Sequence, residues 1–338
     1  MGDPAGVGPE LAARVLADPR NRAKADIYVL ADQAEVDAAA ALVGVTIPCA
    51  SSPSADAVCV LDDNTMPSAP IPRGQISVEA GQRTLYQLNR ALDLANQGKV
   101  GAIMFTPLNK TSLHMAGMRE EDELRYFAMK LNHEGTTSEI NIIQDGAGPT
   151  SRQLWTARVT SHIGIKDVAD RVTQQGTLEA IELLHTLLHE TGIDSPRIGV
   201  CSLNPHNGEN GLFGKEEIEK IAPAVKEAQS HGIDVQGSFP CDTIFLSRQK
   251  YDGIVTMYHD QGQIAIKLLG FDGGVTVQGG LPVVIATPAH GTAFDIAGTG
   301  KASVKSSQNA LDIAIAIAGA RAARKAGKGM NGYTNGHA

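Results

Sequence analysis

Three of the ten histidines stand where chemistry could be done. Trp155 to Thr160 runs into Ser161-His162, Ile198 to Leu203 into Asn204-Pro205-His206, and Ile254 to Tyr258 into His259-Asp260-Gln261-Gly262. Each histidine directly follows a short apolar run of the kind that forms a buried strand. In an open α/β sheet the carboxyl ends of the strands form the ligand crevice, so His162, His206 and His259 can converge although they are far apart in sequence. Three neutral imidazoles suit a divalent metal with open positions for substrate oxygens. Zinc fits first, manganese, cobalt or iron(II) next, and magnesium last because it prefers carboxylate shells. Asp260 or Asn207 would adjust that shell. The competing reading has each histidine bonded to a loop carbonyl, which is the commoner case for one histidine alone; three in one context favour the metal.

Other residues offer two readings each. Lys267 lies eight positions beyond His259 in the apolar run Gln263 to Leu269, a setting that would desolvate an ammonium and suit it to proton transfer or anion binding; the alternative is a lysine snorkelling off a buried segment. Asp242, after Pro240-Cys241, is either a carboxylate beside the site or a helix N-cap, and spacing favours the cap. The opening Gly2 to Glu10 segment, with Pro9 at a helix start, either offers backbone N–H groups to an anion or makes a tight turn. His290 to Gly300 packs three glycines and Asp295 into one loop, where backbone could approach a flat ligand and the acid could accept from a ribose 2′-hydroxyl, favouring NAD over NADP. His185 and His189 share a helix face but lack the glutamate of an H-E-x-x-H site.

The elements that must position these residues alternate. Apolar runs at Ile27 to Leu30, Val58 to Leu61, Ala102 to Phe105 and Val283 to Ala286 join the three histidine-bearing ones as expected strands. Between them Leu85, Leu88, Leu92 and Ala95 mark a helix face, as do Ile218, Ile221, Ala222 and Val225, and again Ile313, Ile317 and Ala320. This alternation predicts an α/β fold with a mostly parallel sheet and covering helices. With 338 residues the chain has room for about two domains. Its net charge of −8 disfavours a nucleic-acid or anionic-membrane partner, and no apolar stretch approaches the ~20 residues of a membrane span. Four scattered cysteines without a C-x-x-C pair or secretory leader suggest reduced thiols in a cytoplasmic protein. Met66 to Pro72 reads as a surface connection, and Gly327 to Ala338 as a frayed tail after a helix whose last turns carry Arg321, Arg324 and Lys325. The glycine-rich turn at Met1 lacks the strand that normally precedes such a turn, so a first strand is expected to be missing.

Taken together, Gly2 to Glu10, Thr106-Pro107-Leu108-Asn109-Lys110, Asn204 to Glu209, Met257 to Gly262 and His290 to Gly298 resemble the 4-hydroxythreonine-4-phosphate dehydrogenase family over nearly the whole chain, and the first and last also resemble the more distant isopropylmalate dehydrogenases. The resemblance implies two α/β/α domains: 1–112 with 286–330 as a discontinuous NAD-associated domain, 113–285 for metal, substrate and dimerisation, and 331–338 as a tail. It matches His162, His206 and His259 to metal ligands shared across a homodimer, and Lys267 to a substrate-binding lysine. It further matches Asp295 to the ribose acid and places Gly291, Thr292 and Gly298 in the NAD loop. It implies oxidation of a secondary alcohol with NAD followed by loss of carbon dioxide from a β-keto acid. The catalytic candidates are Lys267 and, on the residue reading alone, Asp242.

The departures concern the substrate. Where the family carries Gly-His-Thr-Glu, this chain has Glu121-Asp122-Glu123, with Gly135 to Glu139 as a rival placement, and the family's substrate-binding asparagine and arginine fall on Thr276 and Ile285. Losing a bidentate donor and adding carboxylates would weaken a phosphate site. The expectation is therefore a metal- and NAD-dependent dehydrogenase of a small hydroxy acid. Its alternatives are phosphorylated hydroxythreonine or a four-carbon phospho-sugar acid (threonate or erythronate), and a cis-dihydrodiol carboxylate. A three-histidine zinc hydrolase or lyase is the alternative from another class.

Overall fold

The computed structural model describes residues 1–65, 71–145, 152–270 and 272–331. Met66 to Pro70 of the expected surface connection and the last seven residues of the expected tail lie outside them. The chain forms two compact units, Met1–Glu134 with Leu281–Ala318, and Gly135–Gly280 with Gly319–Ala338. Each is of the α/β class.

In the first unit β1 (Tyr28–Val29) pairs in parallel with β2 (Cys59–Val60), and β3 (Ala102–Met104) in parallel with β10 (Val284–Pro288). Helix α1 (Gly8–Ala17) starts with Pro9 in its first turn, and α2 (Val78–Asn96) is capped by Ser77, whose hydroxyl accepts from the Ala80 N–H at 3.1 Å. Leu88, Ala91 and Leu92 of α2 recur at helical spacing and bury against Ile103, Phe105 and Ile285. Helix α3 (Glu123–Lys130) adds Leu124, Tyr126 and Phe127 to the same core. That burial explains why 113–134 and 281–285, expected in the second domain, belong to the first unit: their apolar side chains fill its core.

The second unit is built on six strands in the order β9 (Val275–Gly279), β4 (Ser138–Asp145), β5 (Arg152–Arg158), β8 (Gly253–Thr256), β6 (Ile198–Cys201), β7 (Val235–Phe239). β5, β8, β6 and β7 are mutually parallel, while β4 runs antiparallel to both β5 and β9. Helix α4 (Gln174–Glu190) carries Leu178, Ile181, Leu184, Leu187 and Leu188 on its buried face. It sits so close to the sheet that a Cβ at Gly253 would meet Leu184 at 2.7 Å, which explains glycine at that strand position. Further along are α5 (Ala222–Ser230), the four-residue α6 (Cys241–Ile244), α7 (His259–Gly270) and α8 (Lys305–Asn331). Because α8 runs on to Asn331, Arg321 and Arg324 are not in its last turn; they pair with Glu190 at 3.2 and 3.8 Å.

The amino ends of β5, β6 and β8 are tied by Asp252. Its carboxylate accepts from the Arg197 backbone N–H at 2.9 Å and from the Arg197 guanidinium at 2.9 and 3.0 Å, and its backbone carbonyl accepts from Trp155 at 3.2 Å. Burial opposes its charge, but the bonds from Arg197 outweigh that and hold the carboxyl below its usual range. A depressed folded pKa stabilises the fold above the unfolded value near 4 and loses that stabilisation as pH falls through the lower folded value. Asp252→Asn is expected to cost about 1–2 kcal/mol at pH 7 by urea unfolding. The gap from the parent should close as the pH is lowered below about 4; an undiminished gap at pH 3 contradicts the assignment.

Candidate functional site

The four parallel strands of the second unit end on one edge of their sheet, and four candidates of that unit follow them, one each. His162 comes after β5, His259 after β8, His206 after β6 and Asp242 after β7. The loops after β5 and β8 are stitched together: the Thr160 N–H and hydroxyl both donate to the Met257 carbonyl, at 3.0 and 2.8 Å. This brings the rings of His162 and His259 to 5.7 Å between centroids. Asp260 Oδ1 lies 2.7 Å from Nδ1 of His259, an arrangement in which Nδ1–H donates to the carboxylate, fixing the ring and leaving the Nε2 lone pair open to a ligand. Gln261 accepts from the Met257 N–H at 2.8 Å and donates to the Ser202 carbonyl at 3.0 Å, joining the β8 loop to the one that leads to His206.

His206 is held differently. Residues His206 to Asn210 all have positive φ, between 44° and 75°, a left-handed turn that costs about 1–2 kcal/mol for each residue that is neither glycine nor asparagine. Glu217 stabilises its entry. Its buried carboxylate accepts from the Leu203 N–H (2.8 Å), the Asn204 N–H (2.7 Å) and the Asn204 amide (3.0 Å). It approaches Gly208 so closely that a Cβ there would meet it at 2.7 Å. The turn leaves His206 exposed, its ring 6.5 Å from that of Phe213. Among the described residues no three His, Cys, Asp or Glu side chains of one chain come together as a metal group. Of the three expected ligands, the adjacent strands β5 and β8 therefore pair two, while the left-handed turn carries the third away. The paired imidazoles, one backed by a carboxylate, have the donor chemistry of a borderline divalent metal that lacks its remaining ligands. Nearby, Asn207 Oδ1 is buried without a partner.

The remaining expectations fare unevenly. Lys267 is exposed on α7, two helical turns or about 12 Å from His259, so the expected desolvation is absent from the single chain. Asp242 is exposed in the first turn of α6 and caps nothing, because Pro240 takes the cap position. Thr276 is nearly buried in β9, its hydroxyl accepting from Asn141 at 3.1 Å. Asn141 belongs to a polar cluster missed from sequence: Arg158 donates to Asn141 (3.1 Å) and Ser161 (2.7 Å) and pairs with Glu139. Glu139, in the rival motif, is thereby spent on Arg158, which braces the residue before His162.

In the first unit, Asp122 caps α3 by accepting from the Arg125 N–H at 2.9 Å, and Glu121 pairs with Arg125 at 3.3 Å. Ile285 is wholly buried in the core and paired with Ile103, out of reach of any ligand. The opening turn is structural. Its N–H groups are consumed by Asp3, Pro107 and Thr292, so it is not the anion cradle it could have been. Burial, against one hydrogen bond from Ala5, raises the Asp3 carboxyl above its usual pKa. The turn clasps the late loop: Val7 N–H donates to the Thr292 carbonyl at 3.0 Å, and buried Glu10, another residue missed from sequence, accepts from the N–H groups of Gly298 and Gly300. Thr292 and Gly298 thus shape the loop, whereas Gly291 and Asp295 are exposed, a Cβ at Gly291 would meet nothing, and Asp295 engages none of the described residues. An open glycine beside an unspent acid fits the ribose end of a dinucleotide.

Fold and sheet-edge histidines place the chain among α/β proteins with a polar site at the carboxyl ends of parallel strands. Residues 23–314 match the model of the family described as pyridoxal phosphate biosynthetic protein PdxA, and the chain belongs to that family. It is 49% identical to a Pseudomonas aeruginosa protein that carries the provisional name 4-hydroxythreonine-4-phosphate dehydrogenase 2, covering 93% of this chain and 94% of the relative. It is 36% identical to the D-threonate 4-phosphate dehydrogenase of Cupriavidus necator, over 95% and 97%. Among solved structures, a 4-hydroxythreonine-4-phosphate dehydrogenase from Burkholderia phymatum superposes with a TM-score of 0.76 at 36% identity, over 94% and 96%. A terephthalate 1,2-cis-dihydrodiol dehydrogenase from Burkholderia xenovorans does so at 0.66 and 27%, over 94% and 96%.

Glu217→Ala would strip three donors of their acceptor. It is expected to cost on the order of 3 kcal/mol in urea unfolding and to speed amide exchange at Leu203 and Asn204. Unchanged exchange at those two residues would show that the loop does not depend on this carboxylate.

Proposed function

We propose that this protein is a metal- and NAD-dependent dehydrogenase that oxidises the secondary alcohol of a small hydroxy acid, with decarboxylation where the product is a β-keto acid. The observation that carries the reading is the His162–His259 pair at the sheet edge, with Asp260 backing one ring. It is supported by family membership and by relatives named as dehydrogenases. The 291–298 loop would hold NAD, which would supply the hydride acceptor. His162 and His259 of one chain, with His206 of a second copy, would hold a divalent metal, zinc first, which when bound would supply Lewis acidity to the substrate oxygens. The exposure of His206 and of Leu246 (76%) and Leu268 (83%) favours such a homodimer, because large apolar side chains left in water mark association surfaces. Asp260 holds the His259 ring, Asp295 orients a ribose hydroxyl, and Lys267 Nζ binds the substrate carboxylate or takes up the hydroxyl proton. Asp242 lies on the same edge, after β7, as a second proton-transfer candidate.

A second reading concerns phosphate. The relatives' names favour a 4-phosphorylated acid such as hydroxythreonine 4-phosphate or threonate 4-phosphate. Against it, Ile285 is sealed in the core, the Thr276 hydroxyl is engaged by Asn141, and Asp122 caps a helix, so none of these positions offers a cationic donor to a dianion. These features favour an unphosphorylated hydroxy acid or dihydrodiol carboxylate.

The test is NADH formation with added zinc or manganese across phosphorylated and unphosphorylated four-carbon hydroxy acids and cis-dihydrodiol carboxylates. Turnover with at least one is expected, higher for the unphosphorylated members, and a His206→Ala variant should lose it by 100-fold or more, about 2.7 kcal/mol in the barrier. Failure to bind NAD, with metal-dependent ester or lyase activity instead, would overturn the proposal in favour of a zinc hydrolase or lyase.

A further inference from the structure

The cysteines of the two units are unlike. In the first, Cys49 is exposed and Cys59 buried, and each thiol donates to a backbone carbonyl, of Ile47 and Ser51 respectively, both at 3.4 Å. In the second, the two sulfurs meet. β6 and β7 run parallel with a register shift after Val200 that sets Cys201 opposite Phe239, and the Ser202 N–H extends the pairing to the Phe239 carbonyl at 2.7 Å. Two residues on, past Pro240, α6 opens with Cys241, which this path lays against Cys201. The thiols hydrogen-bond to one another within the apolar cluster of Ile244, Phe245 and Tyr251. Cys201 is wholly buried and Cys241 half-buried, so of the two residues Cys241 is the one that solvent touches.

The two thiols are also chemically unequal. The bond from Cys201 favours the thiolate at Cys241 and holds its pKa below the usual thiol value against the opposing effects of burial and of the Asp242 carboxylate, while burial drives Cys201 up and keeps it protonated. A solvent-reachable sulfur that leans toward the thiolate, with a protonated sulfur in contact, is the arrangement of a reactive and a resolving cysteine.

We propose that Cys241 and Cys201 form a hydroperoxide-reactive dithiol, with Cys241 the sulfur attacked first and Cys201 the sulfur that resolves it. The Cys241 thiolate attacks one peroxide oxygen, the O–O bond breaks, and hydroxide leaves to take up a proton, giving a sulfenic acid and water. The Cys201 sulfur then attacks Cys241, its proton passes to the departing hydroxyl, and a second water leaves as the S–S bond forms. Two thiols lose two electrons in all and the peroxide gains them. The link closes five residues before His206 and one before Asp242, so oxidation acts at the roots of two loops of the candidate site without touching its histidines.

The test treats the reduced full-length chain with one equivalent of hydrogen peroxide, blocks free thiols, and maps peptides without reduction. The expected result is a Cys201–Cys241 linked peptide, a mass loss of about 2 Da reversed by dithiothreitol, and formation of the link faster than oxidation of Cys49. Cys241→Ser should leave Cys201 reduced, and Cys201→Ala should let Cys241 proceed to the sulfinic acid, about 32 Da heavier. Oxidation of Cys49 ahead of Cys241 in the parent, or absence of the linked peptide there, overturns the proposal. Both are read on the unsubstituted chain and need no turnover, so they are independent of which substrate the protein takes.

Discussion

Four parallel strands that share one sheet must release their chains along one edge. β5, β8, β6 and β7 do so in the second unit, and everything of chemical interest there is a consequence. Parallel pairing sends the connections back around the sheet as helices, so residues separated by up to about a hundred positions leave adjacent strands side by side. Adjacency then decides which partners meet. β5 and β8 are neighbours, and their loops, joined through Thr160 and Met257, present His162 and His259 as a pair. β6 is one strand further, and its chain is turned aside at His206.

That turn is where stability is given up. Left-handed backbone at His206 and Glu209 is unfavourable, and the fold maintains it by placing buried Glu217 under the entry and a glycine at the point of closest approach. Strain supported by so many hydrogen bonds is costly to keep for a loop with no task. It is intelligible if His206 must stand out toward a second copy, with the exposed Leu246 and Leu268 on the same unit supplying apolar surface for that contact.

Much of this was legible from residue order. The strand-then-histidine pattern located three of the four parallel strands, since continuous apolar runs mark strands buried on both faces. β4, β7 and β9 escaped, because Ser138 to Asp145 mixes polar and apolar residues, Val235 to Phe239 contains a glycine and a serine, and Val275 to Gly279 alternates apolar with polar residues and ends on glycine. Lys267 misled for a related reason. Ile264, Leu268 and Leu269 around it imply burial, yet Ile264 and Leu268 are themselves exposed in the single chain, so apolar neighbours in sequence did not amount to an apolar environment. Glu10, Arg158 and Glu217 carried no periodic signal; they are buried charges whose carboxylate or N–H partners lie 13 to 290 residues away, and only tertiary pairing reveals them. The two units divide at other positions than the expected domains because α3 and the start of β10 contribute core residues to the first unit, which residue spacing does not disclose.

The account rests on His162, His206 and His259 serving one ion. Calorimetric titration of the metal-free chain with zinc tests it most directly. It predicts one ion bound per chain, with affinity reduced at least tenfold in each of His162→Ala, His206→Ala and His259→Ala. Binding of undiminished affinity in the His162 and His259 variants would contradict it, because the metal would then be held by other residues.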